Sequence, residues 1–485
     1  MRSDELNALA LCAVMAIAGC RSGGVTSQMV DATEPGLGAP VSAYVTTGDR
    51  GRLLARDQAI RFRSIGSDTS LTTVTIDETQ QFQSIVGWGA AMTDASAYLI
   101  QSRMTAEQRE ALLQELFGRE PGIGLSFVRV PMGASDFSRT HYSYDDRPGG
   151  QTDPALEHFS IDADRAEKLP ALKRALAINP RLTLVGSPWS PPGWMKTSGS
   201  LIQGSLKPEF YPAFAQYFRR WIAAYEREGL PIFAVTLQNE PHFEPGDYPG
   251  MRLTPAQRAD IIRNHMGPLF AQSGVDAQIW DWDHNWDELD SPLAVLGDAG
   301  ARQYVAGIAW HCYGGDISVQ TIVHERYPEK DAYFTECSGG QWAPVWADNL
   351  KWMVSKMVIG NARGWAKGVA LWNLALDESY GPHLGGCGNC RGVVTINSAT
   401  GQVTRNEEYY ALAHASRFVR PGAVRIESTA SNELESVAFR NADDRSKVLI
   451  VLNGATVPRE FAVRERESAF TYTLPAGGVA TFTWK

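Results

Sequence analysis

Eight short apolar runs recur through the middle of the chain with helical stretches between them, the alternation that lays parallel strands under crossover helices. The runs lie near Ser84 to Trp88, Ser126 to Val130, Arg181 to Gly186, Ile232 to Leu237, Ala277 to Trp280, Val305 to Trp310, Ala332 to Phe334 and Gly368 to Leu371. Ala106 to Phe117, Asp164 to Ala177 and Pro212 to Arg227 fit as helices between them. In the last, Phe214, Phe218, Trp221, Ile222 and Tyr225 fall on one face. Eight such units predict an α/β fold, a closed (β/α)8 TIM barrel. A doubly wound open sheet is the alternative, but no glycine-rich dinucleotide fingerprint follows the first run.

The chain has 485 residues, more than a barrel of roughly 250 needs. Segments outside the barrel, such as Thr72-Thr-Val-Thr-Ile76, Lys447-Val-Leu-Ile-Val-Leu452 and Ala480-Thr-Phe-Thr-Trp484, have strand character. They predict an all-β sandwich built from both chain ends, residues 43–81 and 421–485, flanking a barrel over 82–420. Ahead of them, an apolar run from Ala8 to Ala18 ends in Ile17-Ala18-Gly19-Cys20, the small-residue pattern of a lipoprotein cleavage box. It is too short to span a bilayer, so residues 1–19 are expected to be a removable signal, with Cys20 as the lipidated first residue. A plain signal peptide is the alternative. Residues 20–42, rich in Gly, Ser, Thr and Pro, then read as a flexible tether. These features predict an exported protein anchored in the bacterial cell envelope, touching the membrane only through its lipid. The formal net charge of −9 offers no basic field for phosphate backbones, so nucleic acid is not an expected partner. Oligomeric state is not legible.

In a parallel barrel, reactive groups sit where strands end. Two glutamates meet that test. Pro231-Ile-Phe-Ala-Val-Thr-Leu-Gln-Asn-Glu-Pro241 runs into Glu240, and Asp331-Ala-Tyr-Phe-Thr-Glu-Cys-Ser338 runs into Glu336. They lie 96 residues apart in the sequence, about three βα units of roughly 31 residues each. That places one after the fourth strand and the other after the seventh, facing across one rim. Retaining glycosidases need such a pair, one carboxyl to protonate the leaving oxygen and one to attack the anomeric carbon. A single strand-end glutamate would equally well pair with a lysine or cap a helix; two at this spacing point to catalysis.

A series of motifs extends this reading. In order they are Val86-Gly-Trp-Gly-Ala-Ala-Met-Thr-Asp94, Arg129-Val-Pro-Met-Gly-Ala-Ser-Asp-Phe-Ser138, Ser187-Pro-Trp-Ser-Pro-Pro-Gly-Trp-Met-Lys196, Gln238-Asn-Glu-Pro241, Trp310-His-Cys-Tyr313, Thr335-Glu-Cys337 and Leu371-Trp-Asn-Leu-Ala-Leu376. Together they resemble glycoside hydrolase family 30, which includes glucosylceramidases and β-1,6-glucanases. The resemblance implies a barrel with an attached β domain, a retaining mechanism that needs no metal or other cofactor, and a β-glucoside or β-glucan substrate. It implies Glu240 as acid/base and Glu336 as nucleophile, with Asp136, Trp189, Asn239, His311, Tyr313, Trp372 and Asn373 around the sugar being cleaved. The residue types suit those places. Asp136, Asn239 and Asn373 can hydrogen-bond hydroxyls, though each alone fits a turn. Trp189 and Trp372 have flat faces for a pyranose, though a barrel tryptophan is also ordinary core. His311 alone also fits the core, and Tyr313 can donate to Glu336 and hold it ionised. A β-xyloside specificity, or a noncatalytic carbohydrate-binding lipoprotein, remains the alternative.

Asp281, Asp283, His284, Asp287 and Glu288 crowd one stretch after the fifth run but lack the spacing of a calcium loop, so a solvated or sugar-contacting rim is expected and no metal site. Cys387-Gly-Asn-Cys390 predicts a short-range disulfide in an exported protein. Cys337 is expected to be a buried free thiol.

Overall fold

A computed structural model describes residues 38–64, 71–431 and 434–485. The expected signal, the lipidated Cys20 and most of the tether lie outside the described residues. Eight parallel strands close into a barrel: β1 (Gly87–Ala91), β2 (Phe127–Pro131), β3 (Thr183–Ser187), β4 (Ile232–Thr236), β5 (Gln278–Asn285), β6 (Val305–His311), β7 (Asp331–Glu336) and β8 (Ala366–Asn373). Each pairs with its sequence neighbour, and β8 returns to β1 through Gly368 and Gly87. The open-sheet alternative is thereby excluded.

The first strand starts three residues later than its apolar run suggests, because Ser84 ends a strand of the sandwich, Thr72–Ser84. In β1 only glycine fits at residue 89: a Cβ at Gly89 would lie 1.8 Å from the Phe127 carbonyl oxygen. The floor of the barrel is filled by Phe127, Trp280 and Tyr333, with Trp280 and Tyr333 stacked at 3.6 Å. Ala234, Ala309 and Ala370 on the strands between leave room for these rings. Inward side chains thus plug the lower barrel, as the fold requires, and the buried Arg129–Asp283–Glu336 network lies above them. Helices wrap the outside. In α1 (Tyr211–Arg227), Phe214, Phe218, Trp221, Ile222 and Tyr225 are buried, and the Trp221 ring lies where a Cβ at Gly186 would be.

The sandwich joins both ends of the described chain. Pro40–Thr46 pairs antiparallel with Val479–Trp484, so the expected tether stops short of residue 42; proline at the first residue of a strand costs no ladder bond. Strand Lys447–Asn453 is buried on both faces. Leu449 and Val451 enter the sandwich core with Val41, Phe461 and Phe482, whereas Val448, Ile450 and Leu452 join the barrel's apolar cluster. That explains its unbroken apolar run. His414, on a barrel helix, bonds Thr46 and Thr481 of the sandwich at 2.8 Å each, and burial pushes it down to about 3, so it joins the two as a neutral ring. Among the described residues no helix is long and apolar enough to cross a membrane.

Candidate active site

The mouth of the barrel is organised around a buried cation. Arg129 on β2 is fully buried and makes four charge-assisted or polar contacts: Nη1 donates to Glu336 Oε2 at 2.5 Å, and Nη2 to Asn239 Oδ1 at 2.7 Å, Asp283 Oδ2 at 2.8 Å and Ser187 Oγ at 3.2 Å. Asp283 on β5, equally buried, also accepts from Ser187 (2.7 Å), Thr236 (2.6 Å), Thr335 (2.6 Å) and His311 Nε2 (3.0 Å). Burial opposes its charge, but Arg129 first and then His311 and Thr236 hold its carboxyl well below the ordinary range. Removing either partner would leave a bare charge in the interior, so the pair locks the positions of β2, β3, β4, β5 and β7 relative to one another.

Strict alternation would not aim these residues inward, and irregularities in three strands correct it. In β5 the register slips between Trp282 and His284, and both Trp282 and Asp283 adopt left-handed backbone (φ +77° and +57°). In β7 the slip falls next to Glu336, so that consecutive residues Thr335 and Glu336 both reach the central network. In β8 it falls at Trp372. A bulge adds one residue to one strand and redirects those after it. Glu240, three residues beyond Leu237, is also left-handed (φ +48°); non-glycine residues there cost of order 1–3 kcal/mol, strain that clusters at functional sites.

Glu240 and Glu336 face each other across His311. Oxygens of both carboxyls and a nitrogen of His311 all lie within 4.8 Å of one another. His311 Nδ1 meets Glu240 Oε1 at 3.1 Å while its Nε2 meets Asp283. Burial alone would lower His311, but the charges of Glu336, Asp283 and Glu240 push it up to about 9, so at neutral pH both ring nitrogens donate. With both ring nitrogens donating, this acid and histidine cluster reads as proton chemistry. The two carboxyls titrate as a pair. Burial and the charge of Glu240 raise Glu336 against the pull of His311 and Arg129; Glu240, despite burial, is held below its ordinary value by His311 and His284. Asp136 is raised well above the carboxylate range, by burial first and then by the two glutamates, so it stands as a neutral donor.

The remaining residues singled out from sequence are placed as follows. The Tyr313 hydroxyl donates to Glu336 Oε1 at 3.0 Å. Asn239 spends its oxygen on Arg129, which leaves its amide hydrogens for a ligand. Trp189 and Trp372 stack on each other at 4.9 Å, and the Arg129 guanidinium lies 4.7 and 5.5 Å from their rings. Only 2% and 3% exposed, they cannot each present an open face to a sugar. Asn373 accepts from Thr93 at 2.8 Å and keeps a buried Nδ2 with no partner. Cys387 and Cys390 are joined in a disulfide.

Two further expectations are corrected. Cys337 is not a free thiol but is bonded to Cys312, tying the residue after His311 to the residue after Glu336. Adjacent parallel strands bring the two cysteines together, which linear spacing does not reveal. The acidic stretch from Asp281 is not all rim. Asp281 and Asp283 are fully buried in β5, Asp283 on Arg129 and Asp281 on Arg258 of α2 (Pro255–Ile261) at 2.8 Å. Arg129 itself carries no assigned role from sequence, although a charge inside the apolar strand Phe-Val-Arg-Val-Pro was a signal that it faces a buried counter-charge.

Residues 85–419 match the glycosyl hydrolase family 30 TIM-barrel domain and residues 422–482 the glycosyl hydrolase family 30 beta sandwich domain. An endo-1,6-beta-D-glucanase of Neurospora crassa is 36% identical over 92% of this chain and 98% of its own length. The lysosomal acid glucosylceramidase of Mus musculus is 30% identical over 93% of this chain and 90% of its own. The solved structure of an endo-beta-1,6-glucanase superposes with a TM-score of 0.85 at 34% identity, covering 92% of this chain and 99% of that one. With both domains matched end to end, and with its two glutamates converging at the barrel mouth, the chain belongs to glycoside hydrolase family 30.

Proposed function

We propose that the protein is a retaining β-glucosidase of polysaccharide, an endo-β-1,6-glucanase, with Glu336 as nucleophile and Glu240 as acid/base. The observation that carries the mechanism is the closeness of the two carboxyls: an oxygen of each lies within 4.8 Å of the other, short of the wider gap that an inverting enzyme keeps for its water. Glu336 attacks the anomeric carbon as the glycosidic bond breaks, and Glu240 gives its proton to the departing oxygen. Glu240 then takes a proton from water, whose oxygen displaces Glu336. The free site orders the pair the other way, with Glu240 the more acidic. A sugar reverses this by stripping water from Glu240, which favours its neutral form, while Arg129 and Tyr313 keep Glu336 charged. Neutral Asp136 and the amide of Asn239 donate to sugar hydroxyls.

The substrate rests on the endo-β-1,6-glucanase relatives, which are the more similar; glucosylceramide is the second reading, from the glucosylceramidase relative. Both glutamates are retained within an intact hydrogen-bonded network, which disfavours a noncatalytic role. Product analysis of wild type and Glu336→Ala on β-1,6-glucan, detergent-dispersed glucosylceramide and aryl β-glucoside or β-xyloside tests the reading. Short β-1,6-oligomers, absent with the variant, are expected; glucose and ceramide alone would replace the glucan reading, and turnover by Glu336→Ala equal to wild type would remove the nucleophile assignment. The Ile17-Ala18-Gly19-Cys20 pattern supports export with a lipid anchor at Cys20. Labelled fatty acid should enter the wild type and not Cys20→Ser; label in both would refute the anchor.

A further inference from the structure

One side of the catalytic site is closed. The loop after β8 sits on Asp136: Leu384 N donates to the Asp136 carbonyl at 2.8 Å, a Cβ at Gly386 would lie 2.5 Å from Asp136 Cβ, and the Cys387–Cys390 bond closes a tight turn within the loop. Asp136 follows β2, and in an eight-stranded barrel the strand opposite β2 is β6. There Tyr313 stands exposed after β6. Tyr313, which touches the nucleophile with its hydroxyl, forms one wall of a second cleft of about 620 Å³ that runs between the ends of β6 and β7. Its other walls include Ser338, Trp342, Val345, Asp348 and Trp352.

We propose that this cleft is the binding site for the leaving portion of the substrate, and that it takes further glucose units of a β-glucan, stacked on Trp342 and Trp352. The proposal rests on the glucanase reading above and names the residues that make the enzyme prefer a chain. Trp342 is 55% and Trp352 39% exposed, beside a tryptophan population that is otherwise mostly buried. The Trp342 ring lies against Gly340, where a Cβ would come within 2.1 Å of it, so one face is backed by the main chain and the indole is held as a platform. The Cys312–Cys337 bond fixes the floor from which that loop departs. The mixture of rings and polar groups selects a sugar over an acyl chain. A pyranose presents an apolar face to an indole and hydroxyls to Asp348 and Ser338. An acyl chain would gain only the rings, whereas a sugar also bonds Asp348, whose carboxylate stands in water beside Lys351.

The test compares wild type, Trp342→Ala and Trp352→Ala on linear β-1,6-glucan oligosaccharides of increasing length, on an aryl β-glucoside and on glucosylceramide in micelles. The readout is the ratio of kcat/KM for long oligosaccharide to that for the aryl glucoside. In wild type it should rise with length, and each variant should lower it about 2- to 12-fold, the equivalent of about 0.5–1.5 kcal/mol for one stacking contact. An unchanged ratio in both variants overturns the subsite. So does a selective loss on glucosylceramide, which would assign the cleft to acyl chains. Binding of the same oligosaccharides to Glu336→Gln, followed by calorimetry with and without Trp342→Ala, separates this inference from the proposed activity. Binding weakened by Trp342→Ala, with no hydrolysis by wild type, keeps the subsite and refutes the glucanase; hydrolysis by wild type with binding indifferent to Trp342 does the reverse.

Discussion

Replacing Tyr313 by phenylalanine removes one hydrogen bond to the proposed nucleophile and little else. The hydroxyl lies 3.0 Å from Glu336 Oε1, while Arg129 remains at 2.5 Å on the other oxygen. A bond to a charged group is worth about 1.5–3 kcal/mol. Tyr313 is 46% exposed, so water compensates part of the loss, and about 1.4 kcal/mol, close to one pKa unit, remains. The bond favours the charged form, so its loss raises Glu336. Attack needs the ionised carboxylate; the acid limb of the kcat profile, which reports the sugar-bound site, should therefore move up by about one pH unit. Below that limb the variant should be about tenfold slower on an aryl β-glucoside, with the gap closing as pH rises. A loss equal at every pH, with the acid limb unmoved, would mean that Tyr313 acts on the sugar and not on the charge of Glu336.

Glu240→Ala should reduce turnover of glucan far more than that of an activated aryl glucoside, because protonation matters most for a poor leaving group; equal losses on the two substrates would contradict its acid role. Arg129→Met leaves Asp283 facing no guanidinium in a fully buried site and should cost about 3–5 kcal/mol of stability by chemical denaturation, since one half of a buried ion pair is removed. The double variant Arg129→Met/Asp283→Asn should recover part of that loss, and a single variant as stable as wild type would show that the pair does not hold the barrel mouth.

Much of this was legible before any coordinates. Eight apolar runs announced the barrel because parallel strands buried on both faces must be apolar, and turn-proximal glutamates announced the pair because strand ends are where a plugged barrel can afford polarity. The Cys387–Cys390 bond was favoured because a lone CxxC in a chain read as exported lacks the further ligands of a zinc site. Other features were not. Asp283 looked like rim in the linear text because an acidic cluster with aromatic neighbours is ordinarily solvated; its burial depends on Arg129, 154 residues earlier. Trp189 and Trp372 fitted either platforms or core, and only their approach across the barrel from β3 to β8 showed that each uses its face on the other.

Sequence alone thus determined the architecture and singled out the two proposed carboxyls, since both follow from local periodicity and from where apolar runs stop. Tertiary structure decided what those carboxyls face. Period-two alternation would send Thr335 and Glu336 to opposite sides of the sheet; the slip in β7 brings both to the central network, and the left-handed residues of β5 turn Asp283 to meet Arg129. Bulges, strand-to-strand disulfides and buried ion pairs arise from contacts between segments far apart in the chain, so their energies are set by closure of the barrel and have no signature in any one stretch of residues.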